Sequence, residues 1–166
     1  MTQENKIIIG VILFTLLILI GGVILLSGSG STSPTITFLE NVKATVDQKN
    51  YDWGQINMKD GNVSKIFVIR NTGTDVLKLT KVKTSCHCTK AEVTIDGNIS
   101  PSFGMNTASP WVGEVTPGNE AQLNIVFDPA YHGPNGVGPI TRYISVDTND
   151  PDNSTLEFTL TANVVK

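Results

Sequence analysis

The chain has 166 residues and a formal net charge of −3, from 12 basic and 15 acidic side chains. That length leaves room for one folded domain once an apolar N-terminal stretch is set aside. The sequence contains no block of basic residues that could contact a run of phosphates, which argues against nucleic acid as a partner.

An uncharged apolar run covers residues 7–26 and predicts a transmembrane helix. Sixteen of its twenty residues are Ile, Leu, Val or Phe. As a helix the run would be about 30 Å long, which is the hydrocarbon thickness of a bilayer. A cleaved signal peptide is the alternative, but its apolar region is usually only about 7–15 residues long. Because Lys6 precedes the run, the positive-inside tendency places residues 1–6 in the cytoplasm and the domain outside the cell membrane.

The rest of the chain predicts an all-β domain on a tether. Residues 27–37 are rich in Ser and Gly and predict a flexible linker. Residues 38–166 alternate short apolar stretches with Gly, Pro, Asn and Asp turns. The strand-like stretches are residues 35–46, 51–56, 64–70, 76–82, 90–95, 111–115, 121–127, 140–146 and 156–165. Seven to nine short strands at this spacing favour an immunoglobulin-like β-sandwich.

The stretch at residues 76–82 alternates most regularly. Its pattern predicts Leu77 and Leu79 on one face of a strand, and Thr80 and Val82 on the other.

Several motifs occur in an order that resembles one bacterial family. They are Gly54 with Ile56, Asn71-Thr72-Gly73, Ser85-Cys86-His87-Cys88-Thr89, Pro117-Gly118, Val126-Phe127-Asp128-Pro129 and Thr148-Asn149-Asp150-Pro151. Over residues 38–165 the chain resembles domain-of-unknown-function family 1573, which is similar to the sandwich domains of hydin, abnormal-spindle and major sperm proteins. The resemblance implies an immunoglobulin-like fold in an extracytoplasmic setting, and it implies no activity. The chain departs from the family at His87, where Gly is usual, and at residues 99–110, which look like an insertion.

Cys86 and Cys88 are the candidate disulfide. In a regular strand their Cα atoms would be about 7 Å apart, at the limit of disulfide geometry, so a bridge requires a local bend. The sequence is compatible with three states of this pair: a structural disulfide, two inert thiols or a reducible disulfide.

Cys86, His87, Cys88 and His132 form the candidate metal site. Thiolate and imidazole ligands suit zinc or copper(I). In a regular strand, however, His87 would face away from its two neighbours.

Asp147, Asn149, Asp150 and Asp152 form an oxygen-rich loop that could hold calcium. The central Gly of a calcium loop is missing, and Asn and Asp before Pro151 are also what an ordinary turn requires.

The sequence carries none of the motifs that mark hydrolases, nucleotide-binding proteins or zinc proteases. It therefore predicts a non-enzymatic module with no catalytic residues and no required cofactor. The module would be anchored in the lipid bilayer through residues 7–26 and would bind an envelope protein or a surface polymer. The alternative is a thiol-dependent role, either copper or zinc binding or redox exchange, at Cys86-His87-Cys88.

Overall fold

The computed structural model describes residues 3–27, 34 and 36–166. The chain divides into two compact units, Met1–Thr32 and Ser33–Lys166. Most of the linker predicted at residues 27–37 lies outside the described residues.

The described residues of the first unit form a helix, α1, which spans Gln3–Ser27. Its large apolar side chains are exposed from Ile9 to Ile20. Over the residues that the structure describes, no helix is apolar for long enough to cross a bilayer. The membrane-spanning helix predicted at residues 7–26 is therefore not confirmed and stays a prediction.

The second unit is a β-sandwich, as the sequence predicted. Its ten strands are β1 (Ala44–Val46), β2 (Asn50–Asn57), β3 (Val63–Asn71), β4 (Leu77–Thr84), β5 (Thr89–Ile95), β6 (Asn98–Ile99), β7 (Val112–Val115), β8 (Glu120–Phe127), β9 (Gly138–Thr148) and β10 (Thr155–Val165). The count exceeds the predicted seven to nine because β6, only two residues long, lies in a stretch whose sequence is typical of an irregular loop.

The strands form two five-stranded sheets. One sheet has the order β1-β3-β8-β5-β6 and the other the order β2-β10-β9-β4-β7. Strands β2 and β10 pair in parallel, and the remaining neighbours pair antiparallel. Since β4 and β5 belong to different sheets, the chain crosses the sandwich between them. The cysteines lie in that crossing.

Apolar side chains from both sheets fill the space between them. Phe67 of β3 and Phe158 of β10 are buried, with ring centroids 4.9 Å apart. A second, smaller cluster of buried residues contains Cys88 and Phe127. Cys88 is therefore part of a core and not only of a turn.

The alternation of inward-facing and outward-facing side chains is interrupted within strand β4. Leu77, Leu79 and Val82 all belong to the same buried cluster, although Val82 was predicted on the opposite face. The pairing of β4 with β9 shifts register between Thr80 and Lys83, and Lys81 has a φ of 47°. A left-handed residue at a register shift marks a β-bulge, which moves the following side chains to the other face. The predicted alternation is therefore wrong beyond Thr80.

The side chain of Asn71 ties the two sheets together. Its amide nitrogen donates to the carbonyl oxygens of Asp75 and Val115, at 2.8 Å each. Its amide oxygen accepts a hydrogen bond from the N–H of Gly73 at 3.0 Å. A Cβ on Gly73 would collide with the backbone of Asn41, so this turn has room only for glycine. The Asn-Thr-Gly motif therefore has a structural role, because it shapes the turn and links the two sheets.

The carboxylate of Asp150 holds the loop between β9 and β10 against β1. Asp150 is 1% exposed. Its Oδ2 accepts hydrogen bonds from Ala44 N–H at 2.8 Å and from the Asn153 amide at 3.0 Å. Its Oδ1 accepts one from Asp152 N–H at 2.9 Å. These donors point the positive ends of N–H groups at both oxygens, and they occupy the lone pairs that a cation would need.

The side chains of Asn149, which follows β9, and of Asp147, near the end of β9, also have partners. Asn149 accepts a hydrogen bond from Lys78 N–H at 2.7 Å and donates one to Val76 O at 3.0 Å. A carboxylate oxygen of Asp147 lies 3.5 Å from Lys81 Nζ. The turn explanation therefore fits these residues better than calcium does.

Asp150 should give the domain an acid-sensitive stability. Burial alone would raise the pKa of Asp150, but the hydrogen bonds from Ala44, Asn153 and Asp152 lower it below its ordinary value of 3.8. A depressed pKa stabilises the fold fully above about pH 3.8, and that contribution disappears as the pH falls through the lower native value. We expect the difference in unfolding free energy between the native chain and Asp150→Asn to shrink below about pH 3.8. Urea unfolding between pH 6 and pH 2 measures it; a constant difference would contradict the assignment.

Candidate functional site

The two cysteines lie in the turn that connects β4 to β5. The N–H of Thr89 donates to the carbonyl oxygen of Cys86 at 3.1 Å, which closes the turn. The hydroxyl of Thr84 donates at 3.0 Å to Cys86 O and lies 3.1 Å from Thr89 O. This turn is the local bend that a disulfide requires, and it replaces the regular strand considered from the sequence.

Neighbouring strands fix the turn from both sides. Ser85 N–H donates to Tyr143 O of β9 at 2.9 Å, and Tyr143 N–H donates to the Ser85 hydroxyl at 2.9 Å. On the other side, Asp128 N–H donates to Cys88 O at 2.9 Å. Hydrogen bonds to β9 of one sheet and to the residue that follows β8 of the other sheet therefore hold the backbone of the turn in place.

Cys86 and Cys88 are joined by a disulfide. Their Cα atoms are 5.2 Å apart, which is within the usual range for disulfides. The two sulfurs have different surroundings, because Cys88 is 3% exposed while Cys86 is half-buried. The structure thus leaves Cys86 partly exposed at the border of the buried cluster that contains Cys88.

The sulfur of Cys88 is in contact with a cation. Arg142 of β9 donates its Nε–H to Cys88 Sγ at 3.1 Å. A second nitrogen of the guanidinium donates to Thr141 O at 2.8 Å, and the group lies 5.3 Å from the ring centroid of Phe127. Burial lowers the pKa of the Arg142 guanidinium, which nonetheless stays protonated at neutral pH. A fixed positive charge beside sulfur stabilises a thiolate.

His132 joins the cysteines, whereas His87 does not. The Nε2 atom of His132 lies 3.5 Å from Cys86 Sγ. One ligand atom each from Cys86, Cys88 and His132 lies within 4.8 Å of the others. His87 is exposed at the tip of the turn and is outside this group. Three of the four predicted metal-site residues are therefore brought together, but the two sulfurs are bonded to each other.

Sequence reasoning did not identify Arg142 as part of the site. The signal was present in strand β9, where Ile140, Arg142 and Ile144 occupy alternate positions on the inward face. A basic residue at an inward position of an apolar strand needs a polar or anionic partner. Here Cys88 Sγ and a backbone carbonyl fill that role.

The comparisons with known proteins agree with this fold. The sequence model of a family described as "Protein of unknown function (DUF1573)" matches residues 44–164. No protein with a curated description matches the sequence.

Two solved structures illustrate the likeness. A protein of unknown function from Porphyromonas gingivalis W83 shares 23% identity and a TM-score of 0.57, over 78% of this chain and 50% of that chain. This chain thus spans about half of the Porphyromonas gingivalis protein. The ASH/PapD-like domain of human CEP192 shares 16% identity and a TM-score of 0.49, over 83% of this chain and 96% of that domain. At these identities the likeness concerns the fold alone.

Proposed function

The chain belongs to the DUF1573 family, and we propose that its sandwich is a non-catalytic binding module for an extended segment of another cell-envelope protein. The segment would lie along the free side of strand β2 and extend its sheet by one strand.

The lengths of the four sheet edges support this proposal. Among the described strands, the edges are β1, β6 and β7, with three, two and four residues, and β2, with eight. Short edge strands are a common protection against unwanted pairing. A long edge exposes a row of backbone N–H and C=O groups, which an added peptide strand can pair with. The eight-residue length of β2 is the observation that carries the proposal.

The surface beside β2 offers side-chain contacts as well. Tyr51 and Trp53 are half-buried on this strand, with ring centroids 6.0 Å apart. Lys65 Nζ lies 4.3 Å from the Tyr51 ring centroid. Aromatic rings that keep part of their surface accessible favour the apolar side chains of a partner.

The binding module would act at a membrane surface. The support for this anchor comes from the amino-acid sequence, where sixteen of the twenty uncharged residues 7–26 are Ile, Leu, Val or Phe. With residues 1–6 in the cytoplasm, the sandwich would face the extracytoplasmic side. Extraction of membranes with alkaline carbonate should leave the full chain in the pellet, and added protease should digest the sandwich in intact cells. Recovery of the chain in the supernatant, or protection of the sandwich from protease, would contradict the anchoring proposal.

Photo-crosslinking tests the binding surface. A photoreactive amino acid at Gln55 of β2 should give a discrete adduct in intact membranes. The matched control is Asn98 of β6, which is also an exposed amide residue on an edge strand. Adducts of equal yield at both positions, or none at Gln55, would count against β2 as the binding edge; an adduct with a surface polymer would exclude a protein partner.

The alternative function is thiol–disulfide exchange at Cys86–Cys88. The unequal surroundings of the two sulfurs favour it, since a purely structural bridge needs no cation beside one sulfur. Titration of the native chain with a thiol reductant such as glutathione distinguishes an exchanging disulfide from a structural one, because a structural disulfide resists reduction in the folded state. The copper or zinc site predicted at Cys86, His87, Cys88 and His132 would require reduced sulfurs, and it stays a prediction.

A further inference from the structure

We propose that the Cys86–Cys88 disulfide is attacked at only one of its two sulfurs: an incoming thiolate attacks Cys86, and Cys88 leaves as a thiolate stabilised by Arg142. This inference rests on the exchange function proposed above and assigns its individual steps. The substrate class is a protein dithiol, which means a partner with two cysteines able to form a disulfide.

Access determines which sulfur is attacked. A thiolate must approach a disulfide sulfur along the line of the sulfur–sulfur bond, so the exposed sulfur reacts first. Cys88 is 3% exposed and belongs to the same buried cluster as Ile56 and Phe127, so little of its surface is open to an incoming thiolate. Cys86 is half-buried and lies beside exposed His132. An incoming sulfur can therefore reach Cys86 and not Cys88.

Charge determines which sulfur leaves. The bond breaks more readily when the departing thiolate is stabilised. Arg142 Nε lies 3.1 Å from Cys88 Sγ, and the Thr89 hydroxyl lies 3.6 Å from the same atom. The structure records no ion pair between Arg142 and a carboxylate of the described residues, so its charge acts on the sulfur. Because Arg142 is half-buried, water screens this interaction only in part.

The exchange is balanced in atoms and electrons. The first partner thiolate forms a bond to Cys86 Sγ as the Cys86–Cys88 bond breaks, and the electron pair of that bond goes to Cys88. The partner's second thiolate then attacks the partner sulfur of the mixed disulfide and releases Cys86, which takes a proton from the medium. The partner has lost two electrons and forms a disulfide, while Cys86 and Cys88 are reduced.

Two single-cysteine variants test which sulfur is accessible. Full-length Cys88→Ser retains Cys86, and Cys86→Ser retains Cys88. With an aromatic disulfide such as dithiobis-nitrobenzoate as the probe, we expect Cys86 to react at least about tenfold faster than Cys88, because burial limits the attack. Equal rates, or a faster Cys88, would overturn the assignment even if the native disulfide proves reducible.

Three arginine variants test the stabilisation of the leaving sulfur. In glutathione redox buffers at pH 7, Arg142→Gln should make the disulfide about tenfold harder to reduce, because the thiolate loses its cation. Arg142→Lys should lie between Arg142→Gln and the native chain, and Arg70→Gln is the control on another surface. Circular dichroism and urea unfolding verify that each variant folds. A disulfide that no glutathione buffer reduces would refute the exchange function itself; a reducible disulfide unaffected by Arg142→Gln would refute only the role of Arg142.

Discussion

Asp150→Ala is expected to lower the free energy of unfolding by about 3 kcal/mol or more, because the variant leaves three hydrogen-bond donors without their acceptor. Two of these donors are the backbone N–H groups of Ala44 and Asp152, and the third is the Asn153 amide. Ala44 is buried, so water cannot readily replace the lost carboxylate. Urea unfolding at pH 7 measures the change, which is a large part of the roughly 5–15 kcal/mol of a typical domain.

Asp152→Ala provides the matched control for this prediction. Asp152 is exposed and only its backbone N–H takes part in the network. Its removal should change the unfolding free energy by about 0.5 kcal/mol or less. If the two substitutions have equal effects, the loop between β9 and β10 is not held by Asp150.

Phe158→Ala is expected to lower the free energy of unfolding by about 3–5 kcal/mol, because it opens a cavity between the sheets. Phe158 is fully buried, and its ring packs on Phe67 from the facing sheet. Thermal and urea unfolding of the full chain both measure this loss. Phe38→Ala is the control, since Phe38 is 53% exposed and the same truncation there removes little packing. A loss below about 1 kcal/mol for Phe158→Ala would show that these two sheets do not share a packed core at that point.

Much of the sandwich could be predicted because its strands obey simple patterns. Strands β8 and β10 alternate apolar and polar residues, and β3 contains a nearly continuous apolar run. The turns between strands contain Gly, Pro, Asn or Asp. Asn71-Thr72-Gly73 lies between the predicted stretches 64–70 and 76–82, and the structure turns there between β3 and β4. What alternation could not reveal is the bulge at Lys81, because a non-glycine residue in the left-handed region gives no compositional signal. After that single residue, Val82 lies in the core.

The cysteine site was only partly predictable. Cys86 and Cys88 stand out by residue type, and the need for a bend between them follows from the length of a strand. The nearness of His132 and Arg142 could not be read from the sequence, because His132 is 46 residues after Cys86 and Arg142 is 54 residues after Cys88. These residues come close to the cysteines in space only after β8 and β9 have paired within their sheets. The tertiary fold, not a local motif, gives the two sulfurs their unequal surroundings.

The spacing of crosslinks along β2 tests the binding proposal most directly. Photoreactive residues at Gln55 and Asn57 lie beyond the irregularity at Gly54, so they keep the two-residue spacing of a strand. If a partner segment adds to the edge, mass spectrometry should locate the two adducts on one protein, at positions two residues apart. Adducts scattered over unrelated proteins, or on distant parts of one protein, would contradict strand addition at β2.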